Sequence, residues 1–589
     1  MDAFCEGVLS TFLTLEDYSK MNIEKSKIHL VELKNNFYNL DELKEDLVIY
    51  IIQPNKEIFS NILESYFLIS SRFQGVETSI IFIPGESYEI IEIMMAHDLI
   101  NKFKILSFNI DLFPIDNDLL SLEKENCLRE IYIDKDLTSI SELANAFVKL
   151  ESCFGKVKHS YIKGDNAKIF ENLVKEKEKE NGVKTTNEIL GMIVLDRSVD
   201  FLTPLMTNCT YEGLIDDFFG INLSTIKIKE SFIEERTKIR KALKNNAKEE
   251  SVTYHLKSFM NNFYNKVGCM YYLHAKDYIN KIEIYYRNMA KKYKSNEKKT
   301  SEEDNKYASD THTYMTEIKV PKSTNENILS YIIESLYGDK NFKQILNNEQ
   351  DLLIRDIPPN LHLYYEDYIS DKRDLHQILK LMAIENLTRG EITNYDKIKR
   401  DILNIYGYQN IFLFRDLENL GWLKRSKGVS YSLVLEGLEL IRNNNSEKIE
   451  KIEDCSYVMN GFCPISLRLI EKAIEGKWNT IQEIIKKMPG EVSFPLNEIE
   501  ITKPTQEVNT IFLVFIGGVT YAEIEGVRYL NKKFKESFDK SKSKNPKRLQ
   551  LIIVTTGILH SKKLFKNLGK DFKNYYTMKL FHDQAIKQK

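Results

Sequence analysis

Residues 192–219 read MIVLDRSVDFLTPLMTNCTYEGLIDDFF, an apolar run, a polar turn and an amphipathic stretch in one uninterrupted block. Met192, Ile193, Val194 and Leu195 form a short continuous apolar segment with β-branched members. That is the pattern of a strand covered on both faces, although a helical turn shares it over so few residues. Asp196 and Arg197 close the run. An acid beside an arginine at a strand end could serve catalysis, but the pair reads first as a partly buried ion pair with further bonds to nearby backbone. Pro204 cannot extend a central strand and disfavours helix at Thr203, so the chain turns there, and Thr210 is placed to cap a helix from Tyr211 onward. Leu214, Ile215, Phe218 and Phe219 give that helix its apolar face. The block thus closes a strand, re-aims the chain and packs a helix on a sheet.

Similar signals lie on both sides of it. Leu47–Ile52, Ser79–Pro84 and Phe103–Phe108 read as short apolar strands, with helical spacing over Glu57–Ile69 and Tyr88–Asn101, and repeated β-α-β units predict a mostly parallel sheet. The charged run Lys175–Lys184 reads as a solvated helix end or loop. Far downstream, Thr510–Ile516 is an apolar strand, Gly517-Gly518 a turn, and Tyr521, Ile524, Val527 and Leu530 the inner face of a helix that leads to a further strand at Leu551–Thr555. The charged run Lys532–Lys547 reads as an exposed helix end and loop.

Between these α/β regions the periodicity changes. Leu256, Phe259, Phe263, Val267, Met270, Tyr278, Ile282, Tyr285 and Met289 recur at three- and four-residue steps, which predicts one long amphipathic helix over Tyr254–Lys294. After a polar stretch to Asn305, helical spacing resumes over Tyr314–Tyr337 with a turn around Pro321–Asn325, so the region reads as long helices folded back at a proline-marked tip. Core packing accounts for the inward aromatics and leaves the outward tyrosines as candidate contacts. Helices follow at Leu375–Leu387 and Tyr395–Ile405. Ile411–Ile441, with Gly421 and a basic turn at Lys424–Lys427, suggests a small winged-helix unit, but three basic residues without a wider basic field do not make a nucleic-acid surface.

At 589 residues the chain has material for about four domains on a prior of roughly 150 residues each. Its 83 basic and 86 acidic residues balance to a formal charge of -3, which calls for neither nucleic acid nor an anionic membrane as partner. Seven dispersed cysteines without a C-x-x-C pair fit a reducing compartment. The stretch Met1–Leu15 lacks a basic n-region, and no apolar run approaches the ~18 residues of a membrane span. A soluble cytosolic protein is expected, reaching membranes only through partners.

Enzymatic signals are weak. Gly517-Gly518 between strand and helix could hold phosphate on backbone amides, yet no G-x-G-x-x-G or G-x-x-x-x-G-K-[ST] spacing accompanies it, and a tight turn explains both glycines. No histidine or cysteine set has zinc spacing, and no G-x-S-x-G elbow occurs. Asp216 and Asp217 are helix neighbours that point to different faces. No catalytic, cofactor or metal residue is assigned.

Several motifs in order carry a resemblance. The block at 192–219, LFPIDNDLLS at 112–121, Ile405-Tyr406-Gly407-Tyr408 with Leu417–Gly421, Ser456-Tyr457-Val458 with Gly461 and Pro464, and FIGGVTYAEI at 515–524 together resemble the Sec-one/Munc-eighteen (SM) family of SNARE chaperones, and within it the vacuolar protein sorting thirty-three group. The resemblance implies an arch-shaped α/β fold with a large helical insertion: two Rossmann-like parallel-sheet domains, residues 1–120 and 121–240 joined with 465–589, and a mainly helical third domain, 241–464. On it, Asp196, Arg197, Asp200, Thr203, Pro204, Tyr211, Gly213, Asp216, Gly517, Gly518 and Thr520 are structural signature residues.

A helical hairpin from Tyr254 through about Gln350 would template SNARE helices, with Tyr271, Lys281, Tyr286, Tyr314 and Pro321 as candidate contacts. Holding two partly disordered segments in register lowers the entropic barrier to their zippering. The implied partners are syntaxin-like Qa and R-SNARE motifs and, in the HOPS or CORVET tethering complexes, the vacuolar protein sorting sixteen subunit, docked near Tyr431 and Val434. The implied location is cytoplasmic, recruited to vacuole, late endosome or lysosome. Two features depart from the family pattern: the portion ahead of Leu47 is short, and the tip around Val320–Asn327 is compact. The rival readings are a nucleotide-dependent α/β enzyme with a helical insertion and a structural tether subunit without SNARE binding.

Overall fold

The computed structural model describes residues 47–569 except 53–58, 60–61, 64–65, 68–76, 83–87, 97, 108–110, 182–187, 234–250, 257–261, 295–318, 339, 355–360, 424–430, 442–451, 453, 496–507 and 541–547. The chain forms two compact units, Met1–Asn117 with Asn222–Thr225, and Asp118–Ile221 with Ile226–Lys589.

In the first unit, strands β1 (Leu47–Ile52), β2 (Glu77–Phe82) and β3 (Lys104–Ser107) form a parallel sheet in that order, and helix α1 (Tyr88–Ala96) connects the last two. Tyr50, Ile52, Ile80, Phe82, Ile90 and Met94 make its core. All three expected strands are present. The shortness expected ahead of Leu47 concerns residues outside the described ones.

In the second unit the main sheet includes β4 (Leu119–Ser121), β5 (Lys156–Lys163), β6 (Glu188–Asp196), β7 (Val492–Ser493), β8 (Val508–Ile516) and β9 (Arg548–Thr555), ordered β7-β5-β6-β8-β9-β4. All pairs are parallel except β7 on β5. Leu195 lies opposite Phe515, and Phe515 opposite Thr555, so the opening block and the distant FIGG stretch share the middle of one sheet.

Helices follow in chain order: α2 (Thr138–Phe154), α3 (Asp165–Asn181), α4 (Tyr211–Phe219), α5 (Tyr272–Lys294), α6 (Lys319–Gly338), α7 (Lys340–Ile354), α8 (Leu375–Arg389), α9 (Tyr395–Tyr406), α10 (Ile411–Asn419), α11 (Tyr431–Gly437), α12 (Ile465–Ile474) and α13 (Tyr521–Lys540). Phe147 of α2 stacks edge-on against both Phe170 of α3 and Phe512 of β8, while Ile524, Val527 and Leu530 of α13 are buried. Cover on both faces is why β6 and β8 read as unbroken apolar runs rather than alternating ones.

Three expectations about the helical region are corrected. The long helix from Tyr254 is broken: Ser251–His255 is a strand, Asn262–Val267 a short helix, and α5 starts only at Tyr272. The break arises where the backbone amides of Glu212 and Tyr211 donate to the carbonyls of Gly268 and Met270, at 2.9 Å each, while apolar residues on both sides keep the helical spacing going. Second, no turn interrupts Pro321–Asn325. Pro321 falls in the first turn of α6, where a missing N–H leaves no intrahelical bond unmade. Third, the described part of 411–441 holds two helices, α10 and α11, and no strand pair that would make a wing; the basic turn at 424–427 is outside the described residues.

Candidate functional site

The end of β6 is tied to the start of α13 by a buried polar cluster. Arg197 donates both terminal nitrogens to the Glu523 carboxylate, 2.7 Å each, its Nε to the Asp200 carbonyl at 3.0 Å, and one terminal nitrogen also to the Gly518 carbonyl at 3.3 Å. Asp200 lies 3.7 Å from the guanidinium and accepts from the Thr203 amide and hydroxyl at 2.9 and 2.6 Å. Glu523 also accepts from the amide and hydroxyl of Thr520, 2.9 Å each, and from the Ser466 hydroxyl.

Burial works against the charge on Arg197, but the Glu523 carboxylate outweighs it and holds the guanidinium protonated far above its ordinary range. Burial likewise opposes ionisation of Glu523, and Arg197 reverses that, so its pKa is lowered; for Asp200, burial prevails and the pKa is raised. The expected ion pair therefore exists, with a correction: the partner of Arg197 is Glu523, 326 residues away, and neighbouring Asp196 does something else.

Asp196 caps. Its carboxylate accepts the Ser198 amide and hydroxyl at 2.9 Å each, the Asn166 amide in the first turn of α3 at 2.8 Å, and the Tyr132 hydroxyl. Burial, reinforced by the Asp196 charge, pushes the Tyr132 phenol well above its ordinary value, so it stays a donor. Gly517 and Gly518 have φ of +87° and +101°; a Cβ on Gly517 would lie 2.6 Å from the Tyr132 ring, and one on Gly518 2.6 Å from Leu559. The Gly517 amide donates to the Thr556 hydroxyl at 3.1 Å and the Val519 amide to the Gly557 carbonyl at 3.0 Å, so both are bonded within the protein.

The rest of the block grips the helical region. Asn208 accepts the Thr210 amide and hydroxyl at 2.9 Å each, and Gly213 has no Cβ because Asn208 occupies that space, 1.9 Å away. Thr210 caps α4 through the Gly213 amide at 3.2 Å, as expected. Its backbone forms an antiparallel bridge with Tyr271, and the Tyr272 amide donates to the Cys209 carbonyl at 3.1 Å. The Tyr211 hydroxyl donates to Asn325 in α6, with Oδ1 at 2.9 Å and the carbonyl at 3.1 Å. The Thr207 amide and hydroxyl meet the Glu349 carboxylate of α7 at 3.0 and 2.8 Å, and Lys380 of α8 closes on Glu349 at 2.9 Å. Asp216 accepts the Ile221 amide at 2.9 Å and meets His560 Nδ1 at 2.5 Å.

The candidate contact residues divide. Lys281 is exposed and Tyr286 half-buried on α5, beside Ile284 and Tyr285, which are 54% and 59% exposed. Tyr271 is only 7% exposed and packs on Tyr272 and His274, so it supports the base of α5 and is no surface contact. Pro321 lies on α6, and Tyr314 is outside the described residues. Tyr431 and Val434, each 7% exposed, line a cavity of about 250 Å³ with Phe201, Leu202, Leu387 and Leu420; they hold α11 from beneath and do not face outward.

Among the described residues, the one acid and thiol group close enough to hold a metal is Asp454, Cys455 and Glu471. Arg468 already reaches it, 3.0 Å from Asp454 and 2.7 Å from Glu471. No helix of these residues is long and apolar enough to cross a membrane. Tyr132, Asn325, Glu349 and His560 carry no local pattern that marks them as members of this network. Glu523 does carry one, since a glutamate at N3 after Thr520 makes a capping box, but that pattern says nothing of its arginine partner.

The Sec1 family profile matches residues 1–567. Vacuolar protein sorting-associated protein 33A of Rattus norvegicus is 27% identical over 554 residues, covering 89% of this chain and 87% of the relative. The vacuolar protein-sorting-associated protein 33 homolog of Arabidopsis thaliana is 25% identical over 516 residues, covering 82% and 80%. Among solved structures, the Unc18–syntaxin 1 complex from Monosiga brevicollis aligns with TM-score 0.57 at 11% identity, covering 96% of this chain and 94% of that one. The SM protein Vps45 in complex with the Qa SNARE Tlg2 aligns with TM-score 0.56 at 14% identity, covering 97% and 93%. These structures share the fold.

Proposed function

The chain belongs to the Sec1 family, and on that premise we propose that it is a non-enzymatic chaperone of SNARE assembly, acting in vacuolar or endolysosomal fusion as a subunit of a HOPS- or CORVET-type tether. The observation that carries the reading is α5: a 23-residue helix, gripped at its base by the signature block, that presents Lys281, Ile284 and Tyr285 to solvent. A helix with partly exposed apolar side chains on a fixed base fits a helical partner in the helix-on-helix mode, with the exposed residues as anchors. Two SNARE helices held on one rigid surface lose less entropy when they pair. Relatives named for vacuolar protein sorting and structural neighbours solved in complex with syntaxin or a Qa SNARE support the choice of partner.

The tether contact is proposed for the outer side of α11, where Leu433 is half-buried and Glu436 exposed, over the support of Tyr431 and Val434. The partner there is the vacuolar protein sorting sixteen subunit. Co-purification of the tagged full chain from its own cells tests the reading. Recovery of SNAREs and tether subunits is expected. Tether subunits alone would leave a structural subunit, and stoichiometric micromolar nucleotide binding with turnover would overturn the reading in favour of an enzyme.

A further inference from the structure

Helix α5 buries Tyr272, Ala275 and Ile279 and leaves Lys276, Lys281, Ile284, Arg287 and Lys291 exposed. At about 100° per residue, all four cations lie within about 80° of Ile284, and from Lys276 to Lys291 they run along about 23 Å of the axis. Asp277 is the one exposed acid among the described residues of the helix. The whole chain balances 83 basic against 86 acidic residues, so this face departs from the rest. Exposed helices commonly set an acid four residues from a base. Here Arg287 and Lys291 stand at that spacing as like charges, and Asn280 holds the place four after Lys276. The ion pairs of α5 are Arg287 with Glu283 at 2.6 Å and the buried Lys322 of α6 with the same Glu283 at 2.7 Å. One carboxylate thus serves two cations, while Lys276, Lys281 and Lys291 have no acid partner among the described residues. The helix dipole accounts for Lys291 in the last turn but favours neither Lys276 nor Lys281, nearer the start.

We propose that the outward face of α5 docks an acidic amphipathic helix: an aliphatic or aromatic side chain of the partner seats on Ile284, and its carboxylates meet Lys281 and Arg287 one turn to either side and Lys276 and Lys291 two turns out. This deepens the functional reading above and rests on it only for the partner's being a SNARE motif; the sign of the partner's charge follows from α5 itself. Helices that cross at about 20° stay together over several turns, as cations spread so far along one axis require. Exposed ion pairs each add only about 1.4- to 5-fold in affinity and are screened by salt, so the charges select the partner and its register while Ile284 and Tyr285 anchor it. A bilayer is the poorer fit, because two half-exposed apolar side chains offer little to insert among acyl chains.

The test follows binding of fluorescent synthetic helices to the full chain by anisotropy. One peptide carries a leucine face flanked by glutamates, a second has glutamine in place of every glutamate, and a third has lysine there. The glutamate peptide should bind wild type more tightly than the glutamine peptide. That preference should shrink as salt rises from about 0.01 to 0.15 M and the screening length falls from about 30 to 8 Å. K281E/K291E should bind the glutamate peptide at least about fourfold more weakly and the lysine peptide more tightly than wild type does, a gain that misfolding would not produce. K486E/K487E, which makes the same charge change at two other exposed lysines, should match wild type. Equal binding of the glutamate and glutamine peptides to wild type, no binding of either, unchanged binding in K281E/K291E, or an equal loss in K486E/K487E would overturn the proposal. So would capture of phosphatidylserine vesicles through Lys281 and Lys291 in place of peptide. A Qa-type SNARE-motif peptide separates the two readings. If the glutamate peptide docks and no SNARE motif does, the chaperone reading fails and the dock stands; a SNARE motif held equally well by wild type and K281E/K291E keeps the chaperone reading and sinks the dock.

Discussion

Replacing Arg197 by methionine isolates the buried cluster at the end of β6. The methionine stem fills much of the same volume, so the change is chiefly electrostatic. Glu523 loses two guanidinium bonds of 2.7 Å, Asp200 loses a cation at 3.7 Å, and the Gly518 carbonyl loses a donor, all in a region without solvent. Removing one partner of a buried pair costs about 3–5 kcal/mol, because the other charge stays buried. The compact unit that holds the cluster has more than 400 residues, and at about 2.1 cal/mol/K of unfolding entropy per residue the melting temperature falls by roughly 3–5 °C. The signature of the mechanism is the second substitution: E523Q keeps acceptor capacity for Thr520 and Ser466 but removes the stranded charge, so R197M/E523Q should melt above R197M. Lysine at 197 cannot reproduce the two parallel bonds and should fall between wild type and R197M. Melting followed by intrinsic fluorescence on all four proteins suffices. An R197M protein within about 1 °C of wild type (about 1 kcal/mol or less), or a double variant less stable than R197M, would refute the reasoning.

The glycine turn makes a steric prediction: G517A places a Cβ 2.6 Å from Tyr132 and 2.9 Å from the Arg197 Cβ at positive φ, and chemical denaturation should show a loss of about 1–3 kcal/mol. His560 makes one about pH. Burial opposes its charge, but Asp216 overrides it, and the folded pKa rises above 6.5. The stabilisation is therefore full below the unfolded value of 6.5 and is lost as pH rises through the folded pKa, so the melting difference between wild type and H560Q should shrink above pH 6.5 and stay flat below it. On α5, I284D and Y285A alter exposed side chains and should change stability by no more than about 0.5 kcal/mol while weakening capture of a SNARE-motif peptide in a pull-down.

The sequence makes some of these features plain and hides others for definite reasons. Strand β6, the Thr210 cap and the apolar face of α4 are local, written within a few residues of one another, and they appear where expected. The partner of Arg197 is not local, and an arginine next to an aspartate invites the nearer pairing even though Asp196 turns to the amides of Ser198 and Asn166 instead. The helix break before Tyr272 is set by a backbone bridge from another segment, which leaves no mark in the apolar spacing around it. Pro321 misleads because its effect depends on position: at a helix start it is neutral, and in a helix interior it would have been a turn. Tyr431 and Val434 look like contact residues on a short helix, yet which side of that helix faces inward is decided by Phe201, Leu202 and Leu387, far away in the chain.

The pairing of β6 with β8 also has a history in time. A ribosome adding about 5–20 residues per second needs roughly 15–65 s to travel the 326 residues from Arg197 to Glu523. Throughout that interval the strand that will stand in the middle of the sheet has an open edge, and an arginine destined for burial has no acid to meet. The nascent chain carries an unfinished sheet while the whole helical insertion is made. Synthesis of this protein should therefore depend on holding factors that shield such an edge, and truncations that end before Val508 should aggregate even though they contain all of the helical insertion.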